Sequence, residues 1–295
     1  MKLRPSVSFA LAVLLFGSPA LANDTAINDG ASGPEPVGWR AGAESIIQMK
    51  NEHISVHFGQ ESSRVTAKFT FVSHKSSGPA TQKLGFPDMS RSDTEGDVIG
   101  PIENLKTYVD GKLVESELVV GYFRETFRDD AAFYERAEKP AEEDAFGPVR
   151  RFAWHIIEAT FPPGEEVVVE RHYEAPTGKN TTFESLFVYE TRTGGAWRGE
   201  IERLTADVTF EPGIDPGLVI LQPRDGWVWD PDRTRATLTW TNFEPRTDRE
   251  RQYFEVITPD VETITKLHKE HPEDFLPLDK WVENWKKMYE ERERG

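Results

Sequence analysis

The sequence predicts a mainly β protein: an antiparallel β-sandwich over residues 44–257, with a partly helical insertion near 122–151 and a two-helix C-terminal segment over 258–295. Two observations lead to this fold class. About ten short segments alternate apolar and polar residues between turns rich in glycine and proline, a pattern typical of a sandwich. Sustained apolar residues at helical spacing are found near the C-terminal end.

Residues 1–22 have the pattern of a secretory signal peptide. Two basic residues precede an apolar run at 9–16 that is too short to span a bilayer, and residues 20–22 supply the small-residue pattern that signal peptidase cleaves. We therefore expect an exported protein, periplasmic or extracellular, whose mature chain begins at Asn23. The stretch 23–43 is rich in glycine, proline, aspartate and asparagine, which predicts a flexible lead-in.

Strict alternation predicts the first strands. Ile54, Val56 and Phe58 alternate with polar residues, and this pattern places one face of a strand in the core while the other contacts water. Asp110-Gly111 lies between two segments rich in apolar residues, which predicts a tight hairpin.

A second hairpin is predicted farther along the chain. The turn sequence 162–164, Pro-Pro-Gly, separates the alternating residues around Trp154 from a run of valines at 167–169. His155 and His172 are therefore expected on neighbouring strands.

The segment 122–151 breaks the alternating pattern. It is highly charged, and Phe123, Phe127, Ala131 and Tyr134 occur at helical spacing. These residues predict an insertion between strands that is partly helical.

The C-terminal segment predicts two helices. Thr258 is expected to cap the first, with Pro259 at its first helical position, and Pro272 to end it. The second helix carries one apolar stripe, formed by Leu278, Trp281, Val282, Trp285, Met288 and Tyr289. Because an isolated helix of about 14 residues is marginally stable, we expect the stripe to dock, preferably within the same chain.

Composition narrows the classes of function. The chain has 51 acidic and 35 basic residues, a formal net charge of −16, and no cysteine. A chain this acidic repels nucleic-acid phosphates, so we expect no nucleic-acid partner. Without cysteine there is no disulfide, thiol nucleophile or cysteine-based zinc site. After the leader, no run of about 18 apolar residues predicts a membrane span.

The histidines do not predict a transition-metal site, and no cofactor is expected. His53 and His57 lie on a predicted strand, where four residues span about 13 Å, too far for one ion. His268 and His271 lie near a helix end without a placed carboxylate partner.

Calcium is the metal ion with some support in the sequence. The acidic loop candidates are Asp88, Asp93, Glu95 and Asp97. A second acidic pair, Asp230 and Asp232, flanks Pro231. Neither group has the spacing of a known calcium loop, and ordinary turn chemistry is the alternative explanation for both.

Three tryptophans are expected on one face of a hairpin. A turn at Pro-Asp should pair Trp229 with Thr234 and Trp227 with Ala236, which places Trp240 on the same face. An exposed row of this kind would stack on sugar rings. Interleaved alanine and leucine favour the alternative, in which the tryptophans belong to the sandwich core.

Several segments, taken in their order along the chain, resemble a known protein family. They include VTAKFTFVSHKSSGPATQKLGFPD, YVDGKLV, FPPGEEVVVERHYEAP, ESLFVYETRTGGAWRGEIERLTADVTF and LTWTNFEP. Over residues 23–257 this order resembles secreted bacterial proteins of the domain of unknown function 4424 type. The resemblance implies no catalytic residue, but it implies that Pro87, Pro163 and Gly164 set turns and that Trp197 anchors a strand.

Three hypotheses for the function follow. No Gly-x-Ser-x-Gly motif occurs and no serine has an identifiable base, so a non-enzymatic binding or envelope-associated module comes first, with a carbohydrate or protein partner. A polysaccharide-directed hydrolase using two carboxylates is the first alternative. A structural interaction protein that assembles through its C-terminal helices is the second.

Overall fold

The computed structural model describes residues 35–36, 46–88, 102–128, 131–137, 149–245 and 247–292. The predicted signal peptide, 1–22, and nearly all of the predicted lead-in, 23–43, lie outside these residues.

The described residues form strands along most of the chain and two helices at its C-terminal end. The first nine strands are β1 (Glu35–Pro36), β2 (Ile47–Phe58), β3 (Ser62–Ser73), β4 (Ala80–Asp88), β5 (Glu103–Val109), β6 (Lys112–Val114), β7 (Glu117–Arg128), β8 (Ala131–Ala137) and β9 (Val149–Phe161). The later strands are β10 (Glu166–Pro176), β11 (Gly178–Lys179), β12 (Glu184–Glu190), β13 (Ile201–Phe210), β14 (Ile220–Gln222), β15 (Trp227–Trp229), β16 (Arg235–Phe243) and β17 (Tyr253–Pro259). The helices are α1 (Val261–Glu270) and α2 (Leu278–Arg292). The predicted mainly β fold with a C-terminal helix pair is confirmed.

The strands form three sheets. The largest has the order β15-β16-β13-β2-β3-β10-β5-β6, the second β1-β4-β9-β7-β8 and the third β11-β12-β17-β14. Strands β2 and β13 pair in parallel, whereas the other paired strands are antiparallel as expected. The predicted turn at Asp110-Gly111 is present, and both residues have positive φ, as a tight hairpin requires.

The main core lies where the five-stranded and four-stranded sheets face the eight-stranded sheet. Phe69 of β3 contacts Phe86 of β4, with ring centres 6.3 Å apart, and Phe71 contacts Phe161 of β9 at 5.7 Å. The four-stranded sheet contributes buried aromatic residues, including Phe187, to the same cluster. Alternation in the sequence is therefore explained by one buried face on each layer.

Strand β12 is buried on both faces. Phe187 and Tyr189 face the main core, whereas Leu186 and Val188 contact a second cluster that includes Trp285 of α2. The apolar stripe of α2 therefore docks on the outer face of the four-stranded sheet within the same chain, as predicted.

The helical insertion predicted near 122–151 is not a helix in its described part. Strands β7 and β8 form a hairpin there, and β7 also pairs with β9. The prediction was wrong because residues four apart share a face of a strand as well as of a helix, so the spacing did not discriminate between them.

Two further expectations need correction. Strands β9 and β10 join different sheets, so His155 and His172 are not on neighbouring strands.

Helix α1 is capped by Asp260, whose carboxylate accepts hydrogen bonds from the backbone N (3.0 Å) and Oγ1 (2.9 Å) of Thr263. The predicted cap Thr258 instead continues strand β17, where it pairs with Ser185.

In the part of the chain that the structure describes, neither helix is long and apolar enough to cross a membrane.

Candidate functional site

A pocket of about 320 Å³ lies where β14, the β15–β16 hairpin and helix α2 meet. We call it the hairpin–helix pocket. Its apolar and aromatic lining consists of Val219, Ile220, Leu221, Trp227, Trp229 and Tyr289. Its charged lining consists of Arg224, Arg233, Lys286 and Glu290. The volume is at the lower end of the range of small-molecule sites, about 300–1,000 Å³.

Helix α2 positions three of the lining residues. Tyr289 and Glu290 follow Lys286 by three and four residues, so each lies on the side of the helix that carries Lys286. The helix is held by Glu184 of β12, whose Oε1 accepts hydrogen bonds from Trp285 Nε1 (2.6 Å) and the Tyr289 hydroxyl (3.0 Å). One wall of the pocket therefore depends on this buried carboxylate, which is only 3% exposed.

The loop of the β15–β16 hairpin positions Arg233. Asp230 holds the loop, since its Oδ1 accepts from the backbone N of Thr234 (2.7 Å) and of Arg235 (3.1 Å) and its Oδ2 accepts from Thr234 Oγ1 (2.6 Å). These bonds, led by the Thr234 side chain, lower the pKa of Asp230. Arg233 adopts a positive φ, and its guanidinium carbon lies 4.5 Å from the centre of the Trp229 ring.

The register of this hairpin differs from the prediction by two residues. Trp229 pairs with Ala236 and Trp227 pairs with Leu238. The loop is longer than expected because Asp230 bonds across it. A shift of two residues preserves which side chains share a face, so the prediction of a common tryptophan face survives the change in register.

The three candidate stacking tryptophans contact the core to different extents. Trp240 is buried, 7% exposed, and meets the Phe243 ring edge-on at 5.6 Å. Trp227 and Trp229 are half-buried and pack against the core cluster, and the Trp229 ring stacks on Phe210 at 5.5 Å. The residues therefore do not form an exposed row, although two of them line the hairpin–helix pocket.

The candidate calcium residues are mostly beyond the described part of the chain. Asp88 ends β4, whereas Asp93, Glu95 and Asp97 lie outside the described residues. For the second acidic pair, turn chemistry accounts for Asp230, because both its oxygens accept bonds from the loop.

The histidines mostly have separate partners. His57 Nδ1 lies 3.0 Å from Thr209 Oγ1, and His172 Nε2 lies 2.6 Å from Glu170 Oε1. In the turn between α1 and α2 the structure brings together His271, Glu273 and Asp274, whose ligand atoms lie within 4.8 Å of one another. These carboxylates were not recognised from the sequence, and all three side chains are exposed.

A serine, a histidine and an aspartate meet on the outer face of the eight-stranded sheet. His53 Nε2 lies 3.2 Å from Ser55 Oγ and 3.4 Å from Asp207 Oδ2. A catalytic triad needs the two partners on different ring nitrogens, so that one orients the base and the other gives up its proton. Both contacts here use Nε2, and Asp207 is also bound by Arg235 at 2.5 Å. The group does not have the geometry of a triad.

A buried polar cluster lies inside the sandwich. Tyr189 donates a 2.5 Å hydrogen bond to Glu52, and burial raises the pKa of Glu52 to about 8 against the opposing effect of that bond. Arg171 is fully buried, with its guanidinium carbon 4.0 Å from the centre of the Phe86 ring and 5.0 Å from that of Tyr173. A strongly perturbed carboxyl often marks a functional site. Because Glu52 is only 2% exposed, the cluster is a core feature that offers no open surface to a ligand.

A second recess, of about 550 Å³, is open and acidic. Its carboxylates are Glu200, Glu244, Asp248 and Glu250. Asp248 forms a 2.6 Å ion pair with Arg251, so part of this charge is neutralised.

Sequence reasoning identified the tryptophans of the hairpin–helix pocket but missed its charged residues. Arg224, Arg233, Lys286 and Glu290 come from separate segments, and no local pattern connects them. The buried polar residues did carry a signal. Glu52 lies two residues before Ile54 on β2, and Arg171 lies two residues after Val169 on β10. Since residues two apart share one face of a strand, alternation alone predicts that both side chains lie on the buried face.

Comparison with known proteins gives a likeness of fold. The chain matches no protein-family model and no curated protein. Its fold is similar to the crystal structure of a candidate nutrient binding protein from Legionella pneumophila, with a TM-score of 0.55 and 15% identity, over 79% of this chain and 72% of that one. An M1 zinc metallopeptidase from Deinococcus radiodurans aligns over 73% of this chain and 42% of that one, with a TM-score of 0.35 and 9% identity. That score is too low to support an argument about fold or function.

Proposed function

We propose that this protein is an exported, non-enzymatic binding module and that the hairpin–helix pocket is its ligand site. The observation that carries the proposal is the convergence of aromatic, aliphatic and charged side chains from three separate parts of the chain on one pocket of about 320 Å³. Such pockets, mostly apolar with a few placed polar groups, are typical of small-molecule sites. The signal-peptide pattern of residues 1–22 supports export.

Two further considerations favour a binding module. The Legionella protein with a similar fold is itself named as a candidate nutrient binding protein, which agrees with this function. The apolar stripe on α2 suggested an interaction protein, but it packs on β12 and β17 of its own chain. That alternative has therefore lost the feature that motivated it.

A pair of matched substitutions tests the location of the site. Val219 lines the pocket, whereas Val228 is 69% exposed on the other face of the hairpin. We expect Val219→Phe to fill the pocket and Val228→Phe to leave it open. A thermal-shift screen of the full chain with small acids, sugars, amino acids and nucleosides should find compounds that stabilise the wild type and Val228→Phe but not Val219→Phe.

Two results would contradict the proposal. One is a screen in which no compound class raises the melting temperature of the wild type. The other is stabilisation that persists unchanged in Val219→Phe, which would place the ligand elsewhere. Hydrolysis of a polysaccharide by the purified wild type would instead support the carboxylate-pair alternative.

A further inference from the structure

We propose that the hairpin–helix pocket selects small anionic molecules, in which a carboxylate or phosphate is joined to an apolar or sugar-ring body. This inference rests on the proposed function, because it names the chemistry of the ligand for the same site.

The charge of the lining is opposite to that of the protein. The chain has a formal net charge of −16, yet three of the charged lining residues, Arg224, Arg233 and Lys286, are cationic and one, Glu290, is anionic. A local excess of positive charge on an acidic protein makes the pocket more favourable for an anion than the rest of the surface. A neutral ligand would gain no charge–charge attraction from this arrangement.

The polar groups of the pocket are mostly hydrogen-bond donors. Arginine, lysine and tryptophan side chains donate and do not accept. The indole Nε1 of Trp227 is buried and has no hydrogen-bond partner among the described residues. The Tyr289 hydroxyl already gives its proton to Glu184. A ligand that bonds to the cations of the pocket must therefore bring acceptor atoms, and carboxylates and phosphates supply them.

Arg233 is held in place before any ligand arrives. Its Nη2 donates a 3.3 Å hydrogen bond to the carbonyl oxygen of Pro216, and its guanidinium lies over the ring of Trp229. This is its one side-chain hydrogen bond within the described ranges, and a guanidinium has five N–H donors, so most remain for a ligand. A fixed guanidinium suits two-point recognition of an oxyanion.

The remaining lining residues indicate the chemistry of the uncharged part of the ligand. Val219, Ile220 and Leu221 form an apolar side, next to the rings of Trp227 and Trp229. A compact apolar or sugar ring can contact these side chains while its acidic group meets the cations. An inorganic anion would leave the apolar side unfilled.

Pairs of compounds that differ in charge test this inference directly. The probes are benzoate with benzamide, and glucuronate and glucose 6-phosphate with glucose, titrated into the full chain up to millimolar concentrations. We expect each acid that binds to do so at least about tenfold more tightly than its neutral partner, since only the acid adds charge–charge attraction to the hydrogen bonds that the cations donate. Affinity for the acids should fall as salt is added. The Trp227 indole N–H signal in an NMR spectrum, assigned with Trp227→Phe, should shift on binding.

Substitution of the cations provides the second measurement. Arg233→Gln and Lys286→Gln should each weaken binding of the acid by about tenfold and weaken any binding of the neutral partner less, because only the acid loses charge–charge attraction. Arg203→Gln is the matched control, because Arg203 is exposed on β13 and is not among the residues that line the pocket. It should alter neither affinity.

The outcomes separate this inference from the proposed function. If neutral compounds bind as tightly as acids and binding is lost in Val219→Phe, the pocket is a ligand site but the anionic preference is wrong. If Arg233→Gln and Lys286→Gln leave acid binding unchanged, the inference is likewise overturned. If no probe binds, the anionic preference fails, and the wider compound screen decides the proposed function separately.

Discussion

The indole Nε1 of Trp285 donates a 2.6 Å hydrogen bond to Oε1 of Glu184, and this contact joins the C-terminal helix to the four-stranded sheet. The same oxygen accepts from the Tyr289 hydroxyl, while Oε2 accepts from Asn180 Nδ2 (2.5 Å) and Thr182 Oγ1 (3.0 Å). A carboxylate buried in this way is satisfied by four donors. Since α2 lines the hairpin–helix pocket, the contact also stabilises the proposed ligand site.

Trp285→Phe should destabilise the protein by about 1–3 kcal/mol, because it removes a donor from a buried carboxylate while keeping most of the ring. Urea unfolding at neutral pH measures the effect. Trp281→Phe is the control, since Trp281 is half-buried and stacks on Trp285 at 6.0 Å without a hydrogen bond to Glu184. Equal losses in both variants would show that the hydrogen bond contributes little beyond packing.

Glu52 should make stability depend on pH. Burial raises its folded-state pKa to about 8, above the unfolded value of 4.5. Between these values the folded state retains a proton that the unfolded state has lost. The free energy of unfolding should therefore fall as pH rises from about 4.5 to 8, by up to about 1.4 kcal/mol per unit from this group.

Glu52→Gln tests that prediction, because an amide oxygen can still accept the hydrogen bond from Tyr189. The variant should lose the decline attributed to Glu52 when unfolding is measured across pH 5–9. Glu170→Gln, on the surface pair with His172, is the control and should retain it. A Glu52→Gln curve parallel to that of the wild type would mean that Glu52 does not titrate in this range.

Trp240→Ala should cost about 3–5 kcal/mol, because it empties a buried aromatic position in the core. Val228→Ala, on the exposed face of the same hairpin, should change stability by less than about 0.5 kcal/mol. Chemical denaturation of both variants gives the comparison. A loss under about 1 kcal/mol for Trp240→Ala would contradict a core role.

Export predicts a defined mature N-terminus. The sequence of the protein from its native host should begin Asn23-Asp24-Thr25, because signal peptidase cleaves after the Ala-x-Ala pattern at 20–22. A chain that retains Met1 in the cytoplasm would exclude the proposed localisation.

We expect no stoichiometric zinc in protein purified without a histidine tag. The group of His271, Glu273 and Asp274 is exposed, and the neighbouring His268 Nδ1 lies 2.8 Å from the carbonyl oxygen of Phe275. Elemental analysis measures the metal content. A stoichiometric ion that disappears in His271→Ala would identify a site in this turn.

The sequence by itself determined the local structure of much of this protein. Alternation from Ile54 to Phe58 predicted a half-buried strand, Asp110-Gly111 predicted a hairpin, and the stripe on residues 278–289 predicted a docked helix. These features depend on the side-chain period of one element and on residues that tolerate positive φ, both of which are written in adjacent residues.

The tertiary structure determined which strands and helices contact one another. Only the assembled sheets separate β9 from β10, pair β2 in parallel with β13, and leave Thr258 in a strand while Asp260 caps the helix. The cations of the hairpin–helix pocket likewise come from positions 224, 233 and 286. Strand pairing and the convergence of side chains depend on packing between residues that are far apart in the sequence. The local sequence pattern does not encode these contacts.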